Sequence, residues 1–179
     1  DFKEFKAKEF YDLLRSGVVP TTCALNVEEY KKYFEPIFAK GADIFYIHFS
    51  CAMSASFSYM DQAIQELLIK YPNRKFYSLD SKAITIGSYN FVRAILDMLK
   101  TNSLEETIKW GNENVNHFAT YFYADDLKFF KRSGRVSGLA ATMGSIIGIK
   151  PIIYIDENGI MKNVGKEKGR KNAVRHLVE

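Results

Sequence analysis

An apolar run that is followed by a serine-rich loop and a helical pattern constrains the fold most. The residues from Ile44 to Ile47 are β-branched or aromatic, which predicts a buried strand. The small, hydroxyl-rich residues from Ser50 to Ser56 predict a loop that opens a helix, because apolar residues then recur at helical spacing. In open α/β sheets, ligands bind beyond the carboxyl ends of strands, where the next helix directs free N–H groups at anions. Ser50, Ser54 and Ser56 are therefore candidate ligand-binding residues, although serines at such a place more commonly cap the helix.

Helical and strand patterns alternate along most of the chain. Amphipathic spacing, cap signatures and short apolar runs predict helices over 2–14, 27–39, 86–99 and 103–114, and strands over 75–79 and 117–123. Strands that alternate with helices of this length indicate parallel pairing through right-handed crossovers. The turn signal Asn158-Gly159 lies between two further strand patterns, which predicts a β-hairpin.

These patterns predict both the fold class and the domain organisation. We expect an α/β fold with a layered, mostly parallel sheet and flanking helices, followed by the start of a second α/β domain with an antiparallel hairpin. The boundary is placed near Gly148, where the pattern changes, so that the two domains span residues 1–147 and 148–179. Because the chain opens at Asp1 without a methionine and ends within a helical pattern, we expect it to be a fragment.

Composition and charge exclude several classes of function. Of the 179 residues, 47% are hydrophobic, which suits a globular domain, and the formal net charge is only +4. The basic residues are mostly scattered, which is unlike a nucleic-acid-binding footprint. No apolar run approaches the roughly 20 residues that span a membrane, and no signal-peptide pattern occurs. The two cysteines, Cys23 and Cys51, match neither a disulfide framework nor a zinc motif, which predicts a cytoplasmic location.

Catalytic and metal-binding patterns are weak in this sequence. The histidines are not at ligand spacing, so we expect no metal site and interpret His48 as a buried, hydrogen-bonded residue. Asp80 follows a strand and could act as a base, although an aspartate at such a place more often forms a turn or caps a helix. Arg135 follows Ser133-Gly134, which suggests a turn that directs its side chain at a specific place; a solvated helix end is the alternative.

Hydroxyl groups on two loops indicate a ligand-binding site more strongly than any residue pattern indicates catalysis. Thr21, Thr22 and Cys23 lie in a polar loop that precedes a helix. The segment from Ser50 to Ser56, called here the serine loop, precedes a helix in the same way. Hydroxyls hold a carboxylate well, and the many aromatic and aliphatic residues could line a cavity that holds a chain. Burying about 14 methylenes at about 0.8 kcal/mol each contributes about 11 kcal/mol to binding, before the loss of entropy on binding is subtracted. A charged hydrogen bond contributes about 1.5–3 kcal/mol. The chain would therefore supply most of the affinity, and the loops would fix the orientation.

A series of short motifs occurs in a specific order and spacing. The matching stretches are Pro20–Leu25, Ile47–Phe57, Asp80-Ser81, Gly87, Asp126–Arg135, Lys150–Ile153, Asn158-Gly159 and Lys166–Ala173. Each motif is weak alone, but together they resemble the DegV family of bacterial fatty-acid-binding proteins, whose members serve as acyl carriers for a fatty acid kinase. The resemblance covers nearly all of the chain.

The resemblance implies a function and a binding site. It implies a non-enzymatic protein without a cofactor that buries a long-chain fatty acid and presents the carboxylate to a partner fatty acid kinase, with at most transient contact with a membrane surface. Thr22 and the serine loop, in particular Ser54, would bind the carboxylate, and Arg135 would organise the head-group site or the surface that meets the kinase. The implied ligand-binding residues are Thr21, Thr22, Cys23, Ser50, Cys51, Ser54, Ser56 and Arg135. The family's first strand and most of its second domain would lie outside this chain.

The chain departs from the family pattern at both loops. Cys23 and Cys51 replace serines, and Ala55 replaces a glycine, so we expect weaker or differently tuned head-group binding. Because both loops converge on one site in the family, the resemblance also implies that the two cysteines lie close together, either as a redox-sensitive pair or as replacements without function.

Two other functions remain open from the sequence alone. One is a small-molecule phosphotransferase or hydrolase that uses Asp80 and Arg135. The other is a non-catalytic interaction domain, which a well-packed interior without a cavity would favour.

Overall fold

Two β-sheets are present in the part of the chain that the structure describes. The structure is a computed structural model and describes residues 5–125, 127, 130, 134 and 148–179. The strands are β1 (Ile44–His48), β2 (Phe76–Asp80), β3 (Thr120–Tyr123), β4 (Ile149–Ile155) and β5 (Met161–Lys168). Strands β1 and β2 pair in parallel, with His48 opposite Asp80, and β3, β4 and β5 form an antiparallel sheet in that order. The predicted α/β fold class is confirmed.

Strand β3 begins at Thr120 and not at the predicted His117, which lies in a 3₁₀ turn. The helices lie close to their predicted positions, although the first begins at Ala7 and not near Phe2. They are α1 (Ala7–Arg15), α2 (Val27–Ala39), α3 (Ser56–Lys70), α4 (Thr85–Met98), α5 (Leu104–Asn114) and α6 (Arg170–Val178), with short 3₁₀ turns at Cys51–Met53 and Val115–His117. The cap signatures in the sequence are confirmed: Asn26 with Glu29 opens α2, Ser103 with Glu106 opens α5, and both pairs form capping boxes. Among the described residues, no helix is both long and apolar enough to cross a membrane.

The pairing of β3 corrects one prediction. The sequence pattern placed this strand in the parallel sheet, but it pairs antiparallel with β4. The Tyr121 ring stacks on Tyr154 across the two strands with 4.6 Å between centroids, and such cross-strand contacts, rather than the periodicity of one strand, select the partner. The predicted boundary near Gly148 thus falls between two strands of one sheet, and the division into domains stays a prediction.

The apolar side chains form separate clusters on the two sheets. The first cluster joins α2 and α3 to β1 and is rich in aromatic rings, with Phe34, Phe38 and Phe57 all buried. A cluster on the antiparallel sheet, called here the hairpin cluster, consists of Ala124, Ile153, Ile155 and Met161, with Met53, Ile84, Phe122, Leu127 and Phe130 packed against it. Met53 and Ile84 belong to loops that follow β1 and β2, so the hairpin cluster reaches the carboxyl ends of the parallel strands.

One hydrogen bond fixes the hairpin turn to the serine loop. The Ser50 hydroxyl, which is fully buried, donates to the Gly159 carbonyl over 2.8 Å. Gly159 has a φ of +75°, as the predicted Asn-Gly turn requires, and a Cβ atom at this position would clash with Ser50 Oγ. The turn therefore needs glycine both for its backbone conformation and for its close approach to Ser50.

Gly159→Ala is expected to lower the free energy of unfolding by about 2–5 kcal/mol, since left-handed backbone strain and a steric clash act together. Gly41→Ala is the matched control, because Gly41 has a similar φ of +82° but no atom within 4 Å of the added Cβ. The control should lose only the backbone contribution of about 1–2 kcal/mol. Urea titrations of both variants measure the difference, and equal losses would contradict the importance of the contact with Ser50.

Candidate functional site

The hydroxyl groups of the serine loop are of two kinds: some are bonded within the protein, and one can still bind a ligand. Ser50 donates to Gly159 and accepts from the Ala52 N–H over 3.2 Å, so its hydroxyl holds the loop against the hairpin. Ser56 is also buried; its hydroxyl lies 2.9 Å from the Tyr30 hydroxyl and accepts from the Leu25 N–H over 3.1 Å. Ser56 therefore ties the loop before α2 to the start of α3, which brings the two polar loops together.

Ser54 occupies a different position. Its hydroxyl oxygen accepts from the Ser56 N–H over 3.1 Å at the start of α3. Within the described part of the chain, its hydroxyl hydrogen has no protein acceptor, so Ser54 can still donate to a ligand. The adjacent N-terminus of a 15-residue helix favours a negative charge there.

A surface-open cavity of about 370 Å³ lies between the two loops and the antiparallel sheet. Its polar lining consists of Thr22, Cys23 and Ser54, and its apolar lining consists of Phe49, Met53, Ile84, Phe130 and Met161. Most of the apolar residues also belong to the hairpin cluster or pack against it. The cavity thus combines hydroxyl and thiol groups with an apolar wall formed by these five residues, which is the composition typical of a small-molecule site.

The other predicted site residues lie elsewhere. Thr21 is exposed and does not line the cavity. Cys51 is exposed as well, and its backbone N–H donates to the Asp80 carboxylate over 3.1 Å. Arg135 lies outside the described residues. Whether Cys23 and Cys51 lie close together stays a prediction, and both are free thiols.

Asp80 has a structural role at the end of β2. Its second carboxylate oxygen accepts from the Lys82 N–H over 2.7 Å, so both oxygens hold backbone groups. This matches the turn-forming alternative for Asp80. The segment that follows contains two non-glycine residues with positive φ, Lys82 at 47° and Thr85, the first residue of α4, at 49°. A β-branched residue such as Thr85 rarely adopts this conformation, and the constrained loop presents Ile84 to the cavity.

A cluster that the sequence analysis missed lies beside the cavity. His48 Nδ1, Cys51 Sγ and an Asp80 carboxylate oxygen all lie within 4.8 Å of one another. His48 is buried and its Nδ1 lies 2.8 Å from the Phe49 carbonyl, which confirms the prediction of a buried, hydrogen-bonded histidine. Desolvation raises the pKa of the Cys51 thiol to about 12, and the negative charge of Asp80 contributes to the increase. The signal available in the sequence was a polar residue at the end of each of two neighbouring parallel strands.

Comparison with known proteins identifies the family. The DegV family matches residues 1–179, the whole chain. This chain belongs to the DegV family. A DegV domain-containing protein of Clostridium perfringens is 36% identical over 177 residues, which are 98% of this chain and 61% of that protein. The DegV chain described here therefore spans about three fifths of the length of that relative.

Solved structures of DegV proteins share the fold. A stearic acid-binding protein from Eubacterium ventriosum superimposes with a TM-score of 0.85 at 22% identity, over 97% of this chain and 61% of that one. The fatty acid kinase B3 protein of Streptococcus pneumoniae, loaded with linoleic acid, superimposes with a TM-score of 0.82 at 18% identity, over 97% and 61% of the two chains. These similarities confirm the DegV fold.

Cys51 should react slowly with alkylating reagents in the folded protein. With a pKa of about 12, about one thiol in 10,000 is ionised at pH 8, against about a quarter of thiols with a pKa of about 8.5. In a Cys23→Ser variant, iodoacetamide should therefore alkylate Cys51 about 2,000-fold more slowly in the native protein than in the urea-unfolded protein, as mass spectrometry can measure.

The pH dependence of the Cys51 alkylation rate shows whether the pKa of the thiol is raised. Because the pKa is raised, the native rate should keep rising about tenfold per pH unit above pH 9, whereas that of an ordinary thiol levels off. Adding Asp80→Asn should increase the rate at pH 8, because the nearby negative charge is removed while the desolvation remains. A native rate that levels off near pH 9 would contradict the raised pKa.

Proposed function

We propose that this DegV protein binds a long-chain fatty acid, with the carboxylate at Thr22 and Ser54 and the acyl chain along the apolar wall of the cavity. The observation that carries the proposal is the mixed lining of the cavity, which combines hydroxyls from two separate loops with residues of the hairpin cluster. The fatty acids named for related structures of the same fold support it. An interaction domain with a closed interior would have no need of such a cavity.

The apolar wall would supply most of the affinity. Each buried methylene contributes about 0.8 kcal/mol, so an acyl chain with ten buried methylenes outweighs about 1.5–3 kcal/mol from a hydrogen bond to its carboxylate. The cavity volume of about 370 Å³ lies toward the lower end of the range of about 300–1,000 Å³ that is typical of ligand sites. The head group would then fix orientation and select acids over neutral lipids.

The proposal extends to a protein partner and a location. A carrier that leaves the carboxylate near an open rim could present it to a fatty acid kinase for phosphorylation, with Arg135 at the head-group site or the docking surface. The free thiols of Cys23 and Cys51 are compatible with a reducing cytoplasm. ATP-dependent formation of an acyl phosphate that requires both proteins would support the partner.

Mass spectrometry of an organic extract from the purified protein, denatured to release buried lipid, tests the function. We expect a stoichiometric long-chain fatty acid, with preference for the chain that best fills the apolar wall. The protein should be expressed from its own gene without truncation. Absence of any fatty acid, together with failure to take up added fatty acids, would contradict the carrier function.

Ser54→Ala should weaken fatty acid binding by about 10–100-fold, because a hydrogen bond to a charged carboxylate contributes about 1.5–3 kcal/mol. Binding of the corresponding methyl ester should change much less. Ser58→Ala is the matched control, since Ser58 lies on the first turn of the same helix but is exposed, bonds to the Ala55 carbonyl and does not line the cavity. Equal effects of the two substitutions, measured by competition with a fluorescent fatty acid, would contradict the role of Ser54.

A further inference from the structure

A nitrogen, a sulfur and an oxygen donor meet at the carboxyl ends of β1 and β2. They are His48 Nδ1, Cys51 Sγ and a carboxylate oxygen of Asp80, all within 4.8 Å of one another, and the Sγ–Nδ1 distance is 3.8 Å. The parallel register places His48 directly opposite Asp80, and the 3₁₀ turn returns Cys51 to the same point. The backbone therefore builds this group of donors from three separate positions.

The separations are close to those of a tetrahedral metal site. Ligand atoms at about 2.0–2.3 Å from Zn²⁺ lie about 3.3–3.6 Å apart at tetrahedral angles. The 3.8 Å between the sulfur and the imidazole nitrogen is near this value, and no pair is more than 4.8 Å apart, so movements of at most about 1 Å would bring the three donors together. The exposed Cys51 side chain can move by rotation, and two backbone N–H groups already hold the Asp80 carboxylate in place. The buried His48 ring must give up its hydrogen bond to the Phe49 carbonyl before Nδ1 can bind the metal.

We propose that His48, Cys51 and Asp80 form a binding site for a borderline-soft divalent cation of the Zn²⁺ type. A thiolate with an imidazole favours Zn²⁺ over Mg²⁺ and Ca²⁺, which prefer oxygen ligands throughout. Three protein ligands leave a fourth position for solvent or another small ligand, as in open zinc sites. This site goes beyond the proposed lipid binding and does not depend on it, because none of the three residues lines the cavity.

Binding of the cation requires a defined proton balance. The Cys51 thiol loses its proton to solvent, and the sulfur electron pair forms the bond to the metal. At His48 the proton moves from Nδ1 to the other ring nitrogen, the hydrogen bond to the Phe49 carbonyl breaks, and the ring turns so that Nδ1 faces the metal. Asp80 binds through one carboxylate oxygen. One proton is therefore released for each cation bound.

The expectation of no metal site was based on the spacing of histidines with one another. A mixed set of one histidine, one cysteine and one aspartate has no such signature, because Asp80 lies 29 residues after Cys51. Only the pairing of β1 with β2 makes the three side chains neighbours.

Titration of the protein with Co²⁺ tests the proposal, because a thiolate ligand gives cobalt an intense charge-transfer absorption. We expect this absorption to saturate at one equivalent and to disappear when Zn²⁺ is added. Cys51→Ser should abolish it, and His48→Gln should weaken Co²⁺ binding at least about tenfold. Cys23→Ser is the matched control, since it removes the other thiol and should keep the absorption.

Several outcomes would overturn the metal site: no thiolate absorption in the wild type, absorption that survives Cys51→Ser, or absorption that is lost with Cys23→Ser. The exposed Cys51 side chain makes the serine variant a fair test even if the buried His48→Gln variant fails to fold. Fatty acid binding, measured on the same samples, should not change the cobalt spectrum. Failure of lipid uptake and failure of metal binding are thus separate results.

Discussion

The hydrogen bond from the Ser50 hydroxyl to the Gly159 carbonyl holds the hairpin turn against the end of the parallel sheet. The cavity depends on this contact, because its polar lining comes from loops on the parallel side and part of its apolar wall comes from the antiparallel side. The buried hydroxyl also accepts from the Ala52 N–H, so both its donor and its acceptor functions are used within the protein. The Ser50 side chain therefore joins the serine loop to the hairpin turn.

The hydroxyl-rich motif serves two physical roles. Ser50 and Ser56 are buried and satisfied by protein groups, so they order the loops, whereas the Ser54 hydroxyl, at the start of α3, has no acceptor among the residues that the structure describes. The two readings of the serines, as structural caps and as ligand donors, are thus compatible when they are assigned to different members. The motif combines rigidity with an available donor, which is what an orientation-selective site requires.

The sequence predicted local structure better than it predicted which strands and loops lie next to one another. The apolar run of β1, the capping boxes and the Asn158-Gly159 turn are set by neighbouring residues, so their patterns were sufficient. The antiparallel pairing of β3 depends on contacts with β4, such as Tyr121 on Tyr154, that periodicity does not encode. The hydroxyl loops were found from composition and from the family resemblance. The apolar wall and the His48 cluster required knowledge of which distant loops meet, and the place of Arg135 stays a prediction.

The two partners in the Ser50–Gly159 hydrogen bond are 109 residues apart along the chain. During synthesis at about 5–20 residues per second, Ser50 therefore waits about 5–20 s for its acceptor. The helices around β1 can pack in that interval, since their contacts are local, but the cavity cannot close until the hairpin has emerged. Phe49 and Met53 meanwhile remain uncovered on the nascent chain. Completion of the cavity is thus a late, long-range event in folding.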